Sequence, residues 1–105
     1  MWQREEKLQP GMKRRLISGD NLMLVQMEID PGTLIPSHSH PHEQISYIID
    51  GEAEFTVGDK VQILTGGDVC LIPGNVPHSV KVLRKLLVLD CFSPPREDFL
   101  KEGGS

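Results

Sequence analysis

Three of the four histidines in this 105-residue sequence lie within five positions, at His38, His40 and His42. On a β-strand, side chains two positions apart point the same way, so His38 and His40 can bind one metal ion together. The fourth, His78, follows a Pro-Gly turn, and a ligand from a distant strand is what closes a metal site inside a barrel. The spacing favours a divalent metal site over solvent-exposed loop histidines.

Pro41 decides where His42 points, because proline cannot donate to a sheet ladder. If regular pairing continued through Pro41, His42 would face the same side as His40. If the chain forms a loop there, the His42 side chain points outward and the Gln44 side chain faces the metal. We expect the loop and a solvent-facing His42, with a supporting or substrate-contacting role for that histidine as the alternative.

The composition excludes several classes of partner. A net charge of −4, from 11 Lys and Arg against 15 Asp and Glu, argues against nucleic acid. No window approaches the 18 or more apolar residues of a membrane span, and the acidic N-terminus does not resemble a signal peptide, so we expect a cytoplasmic protein. Cys70 and Cys91 lie in apolar runs, which is typical of buried free thiols rather than of a disulfide.

Turn signals recur every eight to twelve residues along the chain and separate short runs rich in β-forming residues. Asp50-Gly51 and Gly58-Asp59 each resemble a two-residue hairpin turn, so neighbouring strands should pair antiparallel. The pattern is typical of an all-β barrel or sandwich.

The long runs 21–29 and 84–92 are apolar on both faces, which predicts that each lies between two layers. No helical periodicity competes, except for one turn near residues 2–8. We therefore expect one domain over residues 1–105, with the barrel at about 12–93 and a C-terminal tail at 94–105.

The histidine segment resembles the first motif of the cupin superfamily, G-x5-H-x-H-x3,4-E-x6-G. The matching residues are Gly32, His38, His40, Gln44 and Gly51, with Gln44 where the family usually has Glu. A neutral amide leaves the ion its full positive charge, which favours Lewis-acid chemistry on anionic substrates over a redox role.

The second cupin motif, G-x5-P-x-G-x2-H-x3-N, is met by Gly67, Pro73 and His78. Asn75 replaces Gly and Val82 replaces Asn; Asn tolerates the left-handed turn conformation that Gly would supply. The resemblance implies a small jelly-roll barrel, or double-stranded β-helix. It also implies one divalent transition metal, Ni, Zn, Fe or Mn, held by the residues His38, His40, Gln44 and His78.

The C-terminal segment VLDCFSPPREDFL narrows the resemblance to the KdgF-type pectin-degradation cupins. These convert 4,5-unsaturated uronates from pectin or alginate into linear 4-deoxy-5-keto uronates. Their pocket carries an Asp, a Phe and an Arg that match Asp90, Phe92 and Arg96. The resemblance thus implies an enzyme of carbohydrate metabolism whose substrate is a small anionic sugar acid.

The residues themselves are consistent with that role. Alternation along the strand places Asp90 in an inward row with Val88 and Phe92, where a buried carboxyl has its pKa raised toward the range useful for proton transfer. Plainer interpretations remain open: Asp90 could end the strand paired to a loop, and Arg96 could form a surface salt bridge with an acidic neighbour.

Two other functions remain open for such a barrel. One is a metal-dependent dioxygenase or decarboxylase using iron or manganese, and the other is a non-catalytic module that binds a small molecule.

Small cupins of this kind usually pair through an N-terminal strand. The run 12–17 would offer an exposed edge strand, so we expect a homodimer.

Overall fold

A computed structural model describes residues 1–101, and its regular structure is almost entirely β. The elements in chain order are β1 (Arg4–Gln9), β2 (Met12–Ser18), β3 (Met23–Ile29), β4 (Leu34–His38), β5 (Glu43–Val57), β6 (Lys60–Thr65), β7 (Val69–Ile72), β8 (His78–Ser93) and α1 (Glu97–Lys101).

All strand pairs in this part of the chain are antiparallel and belong to one sheet, in the order β1-β2-β3-β8-β5-β6. The two short strands join the long ones, because β4 pairs with β8 and β7 with β5. The strands β5 and β8 are the longest, with 15 and 16 residues, and their mutual pairing is the central seam of the sheet. The predicted all-β jelly-roll fold is confirmed.

Alternation along β8 builds the interior. Every second residue from Leu86 to Phe92 is buried, and β5 places Gln44, Ser46 and Ile48 opposite that row. The two strands therefore contribute a shared inner face on which polar side chains lie among aliphatic ones.

The Asp50-Gly51 hairpin prediction was wrong, because β5 continues through both residues with shifts in its register against β8. Gly51 has φ of 100°, and a Cβ there would lie 2.1 Å from the carbonyl oxygen of Lys85. The pair thus forms a bulge that only glycine fits, not a turn. The Gly58-Asp59 hairpin is confirmed, since Val57 pairs with Lys60 across it.

The N-terminal segment is a strand where we expected at most a helical turn. β1 pairs with β2 along its length, so the run 12–17 is covered and cannot be the exposed edge that we predicted. The sheet thus begins ahead of residue 12. At the other end, α1 interrupts the predicted tail, and the part of that tail at 102–105 lies outside the described residues.

The outward faces of β3 and β8 are not covered by a second layer, contrary to our expectation for 21–29 and 84–92. Leu24, Leu87 and Leu89 are only half-buried, and Leu22 is 54% exposed.

Both cysteines are free, as predicted, but only Cys70 is buried. The one helix of residues 1–101 has five residues, too few to cross a membrane.

Candidate active site

Three histidines from separate segments of the chain converge on one point. His38 ends β4, His78 opens β8 directly opposite it, and His40 lies in the loop between β4 and β5. One ring nitrogen from each lies within 4.8 Å of those of the other two. The ring centroids of His38 and His78 are 4.3 Å apart, and those of His40 and His78 are 4.9 Å apart.

Backbone carbonyl groups orient all three rings. Each Nδ1 lies at hydrogen-bond distance from a carbonyl oxygen two residues away: His38 from Pro36 at 2.9 Å, His78 from Val76 at 2.9 Å and His40 from His42 at 3.1 Å. If each Nδ1 carries the proton, each Nε2 keeps a lone pair for a metal ion.

The unsatisfied atoms at the centre of the cluster fit a metal ion. His78 Nε2 is buried without a hydrogen-bond partner in residues 1–101, a costly arrangement unless a cation binds there. His40 Nε2 lies 3.1 Å from Gln44 Oε1. With the His40 proton on Nδ1, two lone pairs would face each other at that distance, whereas neighbouring ligands of an ion at about 2.1 Å are about 3 Å apart. Burial lowers the pKa of His40 and His78, which favours the neutral form that binds metals.

The loop that we expected at Pro41 is present. Residues 39–42 lie outside the strands, and β5 resumes at Glu43 with Gln44 buried beside the cluster. His42 is not in the three-histidine group, although its carbonyl group orients His40.

The turn that precedes His78 supports this loop. Asn75 has φ of 66°, the left-handed conformation that we expected there, and its backbone N–H donates to the carbonyl oxygen of His40 at 2.7 Å. The two motif segments are therefore joined directly, which sets the position of His40 against His78.

Asp90 lies on the inner face of β8, opposite Ser46 in the register. The Ser46 hydroxyl donates to Asp90 Oδ1 at 2.6 Å, and Gln44 Nε2 donates to Ser46 Oγ at 3.0 Å. Burial raises the pKa of Asp90 to about 6, against opposing hydrogen bonds from Ser46 and Gln44 and the charge of Arg96. The chain of contacts links this carboxyl to the histidine cluster.

Arg96 fits both interpretations that the sequence left open, a salt bridge with an acidic neighbour and a residue of the pocket. It forms a bidentate ion pair with Asp98, at 3.0 and 2.8 Å, but its side chain is only 11% exposed. Its guanidinium carbon lies 5.1 Å from the Phe92 ring centre and 4.2 Å from that of Phe99. The ion pair therefore holds the cation at the site rather than out in solvent.

A cavity of about 270 Å³ brings these groups together. The residues His38, His78, Gln44, Asp90 and Arg96 line it beside mostly apolar strand residues.

Among the residues that line this cavity, the sequence did not single out Ser46, Phe99 and Arg14 as site residues. Ser46 could have been found, because it is two residues beyond Gln44 on the same strand face. Arg14 is 3% exposed, pairs with Glu6 at 2.9 Å and stacks 4.3 Å from Phe99; no local pattern marked that position.

Comparison with known proteins identifies the same family as the motifs do. The Cupin_2 family, described as a cupin domain, matches residues 25–89. The pectin degradation protein KdgF of Dickeya dadantii (strain 3937) is 38% identical over 98 residues, covering 90% of this chain and 89% of that protein.

Solved structures agree. KdgF from Halomonas sp. superposes with a TM-score of 0.86 at 30% identity, covering 91% of this chain and 90% of that one. An RmlC-like cupin from Shewanella frigidimarina NCIMB 400 gives a TM-score of 0.86 at 34% identity, covering 91% and 87%.

These relatives, together with the convergent polar groups of the cavity, support the conclusion that the protein is an enzyme. By its fold, its two histidine motifs and the match over residues 25–89, the chain belongs to the cupin family, within which it resembles KdgF.

Proposed function

We propose that this enzyme converts 4,5-unsaturated uronates, released from pectin or alginate, into linear 4-deoxy-5-keto uronates in the cytoplasm. One observation carries the proposal: a buried carboxyl, Asp90, shares a small cavity with a histidine cluster and with the guanidinium of Arg96. The similarity to a protein of pectin degradation supports it.

His38, His40 and His78, with the amide oxygen of Gln44, would hold one divalent transition metal ion, Ni, Zn, Fe or Mn. When bound, such an ion supplies Lewis-acid polarisation of a substrate oxygen. Because all four ligands are neutral, the site would keep a net positive charge and attract an anionic sugar.

Asp90 would carry the proton transfers. Addition of water across C4=C5 places a hydrogen on C4 and a hydroxyl on C5. The C5 hydroxyl then loses its proton as the ring C5–O bond breaks, which leaves a ketone at C5. The ring oxygen takes up a proton and stays on C1, whose hydrate loses water to give the aldehyde. The protonated carboxyl can donate to C4, and the resulting carboxylate can accept the proton of the incoming water. A pKa of about 6 makes both forms accessible near neutral pH, and the bond from Ser46 to Oδ1 holds the carboxyl group in place.

Arg96 and Phe92 would bind and orient the sugar. Asp98 uses Nε and Nη2 of the guanidinium, so Nη1 remains as a donor for the substrate carboxylate. The buried ring of Phe92 lies next to both His40 and Arg96, at 5.8 Å between ring centroids and 5.1 Å to the guanidinium carbon. It would therefore form an apolar wall against the sugar ring and limit the solvation of Asp90.

The test is to incubate the purified protein with unsaturated uronate and follow the ultraviolet absorbance of the double bond, with and without a chelator. We expect metal-dependent loss of absorbance without oxygen uptake, and a fall of about 10²- to 10⁴-fold for Asp90→Asn. Asp59→Asn, in the exposed turn between β5 and β6, is the matched control and should keep full activity.

Three results would contradict the proposal. Near-normal turnover by Asp90→Asn would remove the proton-transfer role and leave metal-bound water as the better candidate. Stoichiometric oxygen uptake would indicate a dioxygenase, and binding of uronate without turnover would indicate a non-catalytic module.

A further inference from the structure

Ser46 lies at the point where the histidine cluster and the carboxyl of Asp90 meet. It is completely buried on the inner face of β5, near the start of that strand, and it contacts a different partner on each side. Its Oγ donates to Asp90 Oδ1 at 2.6 Å and accepts from Gln44 Nε2 at 3.0 Å. The hydroxyl therefore uses its single proton on one side and a lone pair on the other.

This arrangement matters because the Gln44 side chain is chemically different at its two ends. Its Oε1 can bind a cation, whereas its NH₂ group has no lone pair to offer. In the structure Nε2 faces Ser46 and Oε1 faces the histidines, 3.1 Å from His40 Nε2. Rotating the amide by half a turn would direct the NH₂ group at the cluster and place Oε1 against a lone pair of Ser46.

A glutamate, the residue usual at this position of the cupin motif, would not need such a device, because both of its carboxylate oxygens can bind a metal ion. A glutamine needs a neighbour that accepts from its nitrogen and that cannot turn its own proton toward it. Ser46 meets both conditions because its proton goes to Asp90, a carboxyl that also accepts from Gln44. Partners of this kind, behind the metal ligands, commonly change metal affinity by about 10- to 100-fold when they are removed.

We propose that Ser46 is a positioning residue that sets the direction of the Gln44 amide, so that its oxygen faces the metal-binding histidines. The inference rests on the metal site of the proposed function, but not on the uronate reaction. Its test uses metal binding alone, so a failure to turn over uronate would leave it standing.

The experiment is titration of the metal-free protein with CoCl₂ at pH 8, followed by the visible absorbance of Co²⁺, which reports both the affinity and the ligand set. Ser46→Ala should weaken Co²⁺ binding by about 10- to 100-fold and change the spectrum in the direction seen for Gln44→Ala. Ser46→Thr keeps the hydroxyl and should retain most of the affinity. Ser18→Ala, which removes a hydrogen-bonding hydroxyl on β2 away from the cavity, is the matched control.

A double substitution separates positioning from a general structural effect. If Ser46 acts through Gln44, then Ser46→Ala should weaken Co²⁺ binding no further in a protein that already carries Gln44→Ala. If the two losses simply multiply, or if Ser46→Ala leaves affinity and spectrum unchanged, the proposal is wrong. Should thermal unfolding show that Ser46→Ala does not fold, Ser46→Val, which has the shape of the Ser46→Thr variant but no hydroxyl and no metal-binding atom, replaces it with the same criteria.

Discussion

Replacing Asp90 by Asn should stabilise the metal-free protein at pH 8, although it removes a side chain from the proposed active site. Asn keeps nearly the same size and an oxygen that can accept from Ser46, but it carries no charge. Burial disfavours the charged form of Asp90 and raises its pKa from 3.8 to about 6. The variant therefore lacks an unfavourable buried charge that the parent protein contains.

The sign and the pH window follow from that shift. Because the pKa of Asp90 is higher in the folded protein, its favourable contribution is complete below pH 3.8 and is lost as the pH rises through about 6. The full difference corresponds to roughly 3 kcal/mol above that range. For a domain of this size, such a difference would raise the unfolding temperature by more than about 10 °C.

Urea unfolding in the presence of a chelator, at pH 8 and at pH 4, measures this effect. Asp90→Asn should exceed the parent in unfolding free energy at pH 8, and the gap should shrink toward zero at pH 4. Asp98→Asn is a control of opposite sign, because its hydrogen bond with Arg96 lowers the pKa of Asp98 and that stabilisation is present only above the lowered pKa. Equal pH dependence of the unfolding free energy in the parent and in Asp90→Asn would refute the argument. A lower unfolding free energy of Asp90→Asn at pH 8 would show that hydrogen bonds stabilise the buried carboxylate more than burial destabilises it.

Three further predictions concern the metal, the substrate and the assembly. His38→Ala or His78→Ala should abolish stoichiometric metal binding in elemental analysis, whereas His42→Ala should largely preserve it; an empty site in the His42 variant alone would contradict the ligand set. Arg96→Ala should raise KM more than it lowers kcat, because a carboxylate contact exists in ground and transition states alike, and a loss confined to kcat would exclude that role. We still predict a homodimer, and light scattering at micromolar concentration should give twice the 11.7 kDa of the chain. One end of the sheet order is β1 and not the run 12–17. A monomeric mass would contradict the prediction.

Local pattern was enough to predict much of this protein. The strand character of its segments, the Gly58-Asp59 hairpin and the inward row that contains Asp90 all follow from turn chemistry and from the two-residue period of a strand. The His-x-His spacing of His38 and His40, with a remote His78 after a turn, indicated the cluster that the structure brings together. Pro41 predicted the loop, since a residue without an N–H interrupts a ladder.

Tertiary pairing decided the rest. Asp50-Gly51 has the composition of a turn, but pairing with β8 continues across it, and the close approach of the Lys85 carbonyl group makes it a bulge. The cover that β1 places over β2 and the contact of Phe99 with Arg14 depend on which distant segments meet, which local periodicity does not encode. The sequence alone determined which side chains could do chemistry and on which strand face they lie. Only the register between β5 and β8 decided that Ser46 lies opposite Asp90, because the pairing of distant strands sets cross-strand neighbours.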